Sequence, residues 1–62
     1  MNIVDAISIA HSKGVAICLR EWGGYWCFSK EGVLINKDKT KVEPQRIKQY
    51  ALREDFHIYP IN

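Results

Sequence analysis

The run Arg20-Glu21-Trp22-Gly23-Gly24-Tyr25-Trp26 gathers a guanidinium, three large rings and two positions without side chains into seven residues. Two uses fit such a run. The rings can be the core of a very small protein, or they can form a stacking surface for a flat ligand. In the second case Arg20 and the amides of Gly23 and Gly24 would face the ligand's charged part. A base lying on an aromatic ring gains about 1–3 kcal/mol, and phosphate oxygens attract guanidinium and amide donors through charge-assisted hydrogen bonds. The candidate ligand-binding residues are therefore Arg20, Trp22, Gly23, Gly24, Tyr25 and Trp26. Trp22 is the central one, because a loop tip flanked by glycine is a poor place to bury a large ring in its own protomer. Its ring is either a stacking surface, or folded back over the sheet edge, or packed into a neighbouring subunit.

Other chemistry finds little footing. No Ser, His and Asp stand in a recognisable setting. Cys18 and Cys27 lie inside apolar runs, where a thiol is held protonated and inert. Glu54 and Asp55 are adjacent, which points their carboxylates apart. Neither a Cys-x-x-Cys pair nor closely spaced His and Cys suggests a metal. The expectation is a protein that binds without catalysing and needs no cofactor or metal.

The elements that must position these residues are readable from the pattern. Ile3, Ala6, Ile7 and Ala10 fall at i, i+3, i+4, i+7, which predicts a helix over 2–13. Asn2 can cap its start, Asp5 suits the first turn, Lys13 the last, and Gly14 a left-handed stop. Residues 15–20 read as a buried strand, with Val15, Ile17 and Leu19 facing one way and Ala16, Cys18 and Arg20 the other. Residues 25–29 and 33–36 read as two further strands, joined by a tight turn with Gly32 in the left-handed position. The loop 21–24 joins the first two, its glycines allowing backbone angles that a side chain would forbid. After the polar turn 36–41, Pro44 opens a second helix running to about Glu54. Val42 and Ile47 staple its start, and Ile47, Tyr50 and Ala51 form its buried stripe. Residues 56–61 form a last short strand, placed at a sheet edge by Pro60. The fold class is α+β: a small antiparallel sheet, made of a three-stranded meander plus a short C-terminal strand, with two helices on one face.

Size and charge bound the partners. A single domain of 62 residues (1–62) buries a small core, and self-association is the expected staple, because two cysteines make no disulfide framework. The uncovered sheet face, carrying Trp26 and Phe28 or else Tyr25 and Cys27, would be buried in a dimer or higher oligomer. The net charge of +2 does not describe a nucleic-acid coating protein. Yet Lys37, Lys39, Lys41, Arg46, Lys48 and Arg53 cluster between 37 and 53, either as a solvated face or as a phosphate-facing patch. The start of the chain lacks a basic stretch followed by a long apolar run, and nothing approaches membrane-spanning length, so a reducing cytoplasm is expected.

The stretch "AISIAHSKGVAICLREW" (6–22), followed by a glycine-containing turn, and the closing "ALREDFHIY" (51–59) resemble the second type of Thoeris anti-defence protein, a family of small phage-encoded sponges. The likeness covers about half of the chain. It departs from the family in a shorter middle and in Phe56, where the family commonly has tryptophan. What the resemblance implies is a homo-oligomer, dimer or tetramer, in the host bacterial cytoplasm. It would sequester a nucleotide signal of bacterial immunity, a cyclic ADP-ribose isomer or a cyclic dinucleotide, without cleaving it. The family's loop tryptophan falls on Trp22, and Arg20 matches the pattern. The competing expectation is a small phage protein that inhibits a host or defence protein by direct binding through its aromatic face.

Overall fold

The computed structural model describes residues 1–59. Helix α1 spans Ile3–Lys13 and is stopped at both ends by local chemistry. The Asn2 side chain accepts a hydrogen bond from the Asp5 amide at 2.8 Å. Gly14, at φ 66°, turns the chain left-handed and returns its N–H to the Ala10 carbonyl at 3.0 Å. The expected stripe is the packed one: Ile3, Ala6 and Ala10 are buried, Ile7 lies half-buried against them, and the two alanines let the helix sit close to the sheet.

The sheet is four-stranded and antiparallel, in the order β3-β2-β1-β4, with β1 Ile17–Cys18, β2 Trp26–Phe28, β3 Leu34–Asn36 and β4 His57–Ile58. With α1 and the second helix, α2 (Pro44–Gln49), it makes the α+β fold that the pattern predicts. Register places Ile17 opposite Trp26 and Ile58, and Trp26 opposite Asn36. Directly opposed residues share a face, so Ile17 and Trp26 look together into the core, where Ile3, Leu19, Leu34, Val42 and Phe56 join them. The other face carries Cys18, Cys27 and Ile35, flanked by Tyr25 and Tyr59, whose rings lie 4.8 Å apart. Of the two pairs weighed for the uncovered face, it is Tyr25 and Cys27 that point there.

The strands are shorter than the sequence suggests, for a definite reason. The Trp22 amide bonds the Leu19 carbonyl at 3.0 Å, so a turn begins at Leu19 and the pairing of β1 stops at Cys18. Arg20 is thus an exposed turn residue, not the end of a strand. The β2–β3 hairpin turns as expected, with Gly32 at φ 78° and its amide on the Ser29 carbonyl at 2.9 Å. The polar turn after β3 is organised by the Asn36 side chain, which accepts from the amides of Asp38 (2.9 Å) and Thr40 (3.0 Å). Its far side pairs back onto β3 through a bridge between Ile35 and Lys41, and the Val42 amide bonds the Leu34 carbonyl.

Helix α2 ends at Gln49, not near Glu54. Ile47 and Tyr50 pack on the core, but the next apolar residues find nothing to cover: Ala51 is exposed and Leu52 is 96% exposed. Without burial a six-residue helix has no reason to continue. The chain leaves it through i to i+3 bonds (Ala51 to Lys48, Arg53 to Tyr50) and runs back beside Met1, whose carbonyl accepts from the Phe56 amide at 3.0 Å. β4 then pairs with β1 at the sheet edge, as expected; Pro60, the reason given for that placement, lies outside the described residues. Among the described residues no helix is long and apolar enough to cross a membrane.

Two glycines separate conformational from spatial roles. Gly14 needs its left-handed angle, whereas Gly23 has none and nothing lies within 4 Å of where its Cβ would stand. Gly14→Ala is expected to lose about 1 kcal/mol in urea denaturation, while Gly23→Ala is neutral or gains up to about 1 kcal/mol. Equal losses would contradict the assignment.

Candidate functional site

The turn at Leu19 decides where the aromatic run goes. With Arg20 and Glu21 at its corners, Trp22 leaves the turn heading back over the helix-side face. There its ring meets three others: Trp26 at 4.7 Å between centroids, Tyr50 at 5.2 Å and Phe56 at 5.6 Å, the last two edge-on. Such offset and edge contacts suit the ring quadrupoles, each adding about 0.5–1.5 kcal/mol beyond burial. Trp22 therefore packs within its own chain, the folded-back alternative among those its loop position left open, and remains half-buried.

A hollow lies beside that ring. It is a solvent-open cleft of about 380 Å³ whose walls include Trp22, Tyr25 and Tyr50, with Gly23 and Gly24 from the loop, Lys37 and Asp38 from the turn after β3 and Arg46 from α2. The loop glycines, the turn after β3 and α2 each supply one part of it. Trp22, Gly23, Gly24, Tyr25 and Trp26 of the expected site all border the cleft. Trp26 does so as a core residue, only 6% exposed, and offers little surface for stacking. Arg20 is not brought there. It borders a separate hollow with Glu21, Asp55 and His57, because its position in the turn carries it away from the indole of Trp22.

Lys37 and Arg46 take the cationic place expected of Arg20. Among the described residues neither forms an ion pair, and the Lys37 Nζ makes one long hydrogen bond, 3.4 Å, to the Gly23 carbonyl. The sequence marked both only as members of the basic stretch 37–53, without saying which would meet the aromatic loop. The glycines differ from expectation as well: neither Gly23 nor Gly24 has a left-handed backbone angle. At Gly24 the space is taken by Lys37: a Cβ there would stand 2.7 Å from the Lys37 Cδ, so that flexible stem would have to shift. Among the described residues no acceptor takes the amides of Gly23 or Gly24, which leaves them as donors at the cleft wall.

The carboxylate of Glu21 borders the same cleft, but Arg53 engages it. The Arg53 guanidinium forks to Glu21 (2.7 and 3.1 Å) and to Asp55 (2.6 and 2.9 Å), joining the aromatic loop to the segment before β4. These hydrogen bonds from Arg53 hold the Glu21 and Asp55 carboxyls below their ordinary values, and raise that of Arg53 in turn. Among the described residues Asp38 has no such cation, which leaves it as an acceptor bordering the cleft.

Two further groups lie off the cleft. The Cys18 Sγ sits 3.2 Å from the His57 Nε2 across the β1–β4 pair, and burial pushes this thiol's pKa up, so it is a poor nucleophile. Among the described residues no three His, Cys, Asp or Glu side chains gather closely enough to hold a metal ion. Compared with known proteins, the chain matches no family model, no curated protein and no solved structure.

The Arg53 fork gives a pH signature. Carboxyls whose folded pKa is depressed contribute stability above their unfolded values, and that contribution disappears as pH falls through the folded values. Below the ordinary values of 4.5 for Glu21 and 3.8 for Asp55, stability is expected to fall with acid, and less steeply in Arg53→Gln. Urea midpoints from pH 6 to pH 2.5 check this; parallel curves for the two proteins would remove the fork as a cause. All three groups are solvent-exposed, so the difference shrinks in high salt.

Proposed function

We propose that this protein captures a small nucleotide signal in the cleft beside Trp22 and holds it without cleaving it. The observation that carries the reading is the convergence on one hollow of an aromatic wall, two cations and two backbone amides, which among the described residues have no carboxylate partner and no acceptor respectively. A purine stacks against Trp22, with Tyr25 or Tyr50 beside it. Its phosphate draws on Lys37, Arg46 and the amides of Gly23 and Gly24. Asp38 accepts from a ribose hydroxyl or an exocyclic amine. The rings behind Trp22 hold it in place before the ligand arrives, which reduces the ordering cost of binding.

Capture needs no reacting group, and the resemblance to the Thoeris anti-defence sponges points the same way: a phage protein that lowers the free concentration of a cyclic ADP-ribose isomer or cyclic dinucleotide in the bacterial cytoplasm. Small-molecule sites usually occupy roughly 300–1,000 Å³. The cleft is at the small, open end of that range, enough for one base and its phosphate. A larger cyclic ligand needs a wall from a second copy, and the sheet face bearing Tyr25, Cys27 and Ile35 offers an uncovered surface for self-association. That face also favours the second reading, inhibition of a host or defence protein by direct contact.

Isothermal calorimetry against cyclic ADP-ribose isomers, ADP-ribose and cyclic dinucleotides separates the readings. Capture predicts binding of at least one, weakened about tenfold in Arg46→Met with an unchanged melting temperature, since Arg46 is exposed. Silence across the panel, with a host protein co-purifying, supports the second reading instead. Light scattering of the same samples is expected to give a dimer or tetramer mass, and Ile35→Glu to reduce it; a monomer in the unaltered protein would remove the shared-site part.

A further inference from the structure

Lys37 occupies an unusual resting place. Its aliphatic stem lies flat against Gly24, so closely that a Cβ on Gly24 would stand 2.7 Å from the Lys37 Cδ and 3.1 Å from its Cγ. Its ammonium group ends on the Gly23 carbonyl at 3.4 Å, longer than the usual 2.7–3.2 Å of an N–H···O bond. The stem is thus placed by a missing side chain, and the charged end is held by one weak, solvent-exposed bond. Its base is fixed by the Asn36 side chain, whose bonds to the Asp38 and Thr40 amides set the turn immediately after β3.

We infer that Lys37 is a movable anion clasp, its ammonium group parked on the Gly23 carbonyl and drawn off that carbonyl by the phosphate or diphosphate of a nucleotide while its stem stays against Gly24, and that Gly24, by keeping the stem in place, determines the selectivity for phosphorylated ligands. The inference rests on the nucleotide reading of the cleft and adds to it the means of choosing among ligands. Arg46 borders the same cleft from α2, so an anion there meets cations carried by two different elements. Exchanging a long contact with a neutral carbonyl for an ion-paired hydrogen bond to a phosphate oxygen favours the bound position of Lys37. Release of the Gly23 carbonyl costs little, because water reaches it at this exposed site. A nucleoside without phosphate leaves Lys37 parked and gains only the stacking. Gly24 therefore acts through Lys37 as a positioning residue. A methyl group there displaces a flexible stem without distorting the backbone, whose angle at Gly24 is not left-handed.

The test is a double-mutant cycle on Gly24→Ala and Lys37→Met, with ADP, adenosine and pyrophosphate as probes and calorimetry as the readout. The unaltered protein is expected to prefer ADP to adenosine by about tenfold or more. Each single variant loses most of that preference, and the double variant loses no more than either single one. Melting temperatures of all four proteins stay together. Additive losses in the double variant, or a Gly24→Ala protein that keeps the full preference, would overturn the clasp while leaving nucleotide capture standing. Pyrophosphate separates the opposite case: if it binds in a Lys37- and Gly24-dependent way while ADP gains nothing from its base, the clasp stands and nucleotide stacking falls. If no probe binds the unaltered protein, both are overturned.

Discussion

Contact among four rings, Trp22, Trp26, Tyr50 and Phe56, is the interaction on which the rest of this structure depends. They come from four segments: the loop after β1, strand β2, the end of α2 and the stretch leading into β4. A chain of 62 residues buries little surface. Large rings supply much area per residue, and joining distant segments with them closes the core where the short strands and the six-residue α2 could not. Phe56, 2% exposed, is the most enclosed of the four, and Trp22, half-buried, is the one left in reach of solvent.

That arrangement couples stability to the site. The side of the cluster that Trp22 closes is also a wall of the cleft, so a change in the core moves that wall. The Arg53 fork reinforces this by fastening Glu21, next to Trp22, to Asp55, next to Phe56. Helix α2 packs on the core through Ile47, with Tyr50 just beyond its end, and in docking there it brings Arg46 to the cleft. The polar turn after β3, set by Asn36, delivers Lys37 to the same cleft. Residues with no local relation thus meet because the four rings leave the loop, the turn and the helix few other places to be.

Local signals in the sequence were enough for much of the fold. The cap at Asn2, the stop at Gly14 and the apolar spacing between them define α1 within a residue, since each acts over one turn of chain. Gly32 marks the β2–β3 turn for the same reason. The turn starting at Leu19 was hidden because residues 16–19 are apolar and buried whichever way they face: Ala16 and Cys18 are as enclosed as Ile17 and Leu19, so the pattern looks like uninterrupted strand. Arg20 was consequently assigned to the wrong surface. The end of α2 was hidden because Ala51 and Leu52 are good helix formers, and only the absence of a facing surface stops them. The aromatic part of the cleft's lining was legible from residues 22–25 alone, whereas its cationic part depends on non-local packing that brings Lys37 and Arg46 there from six similar charges.

The central claim is that Trp22, although braced by its own chain, presents a face to the cleft on which a nucleobase lies. The chain has two indole N–H groups, Trp22 and Trp26, and they resolve the question in a nuclear magnetic resonance titration with ADP-ribose and its cyclic isomers. The account predicts large shifts at the Trp22 indole and the Gly23 and Gly24 amides, a smaller one at the braced Trp26, and none at Cys27 or Ile35 on the opposite face. An unmoved Trp22 indole, with the shifts falling on Cys27 and Ile35 instead, would contradict it.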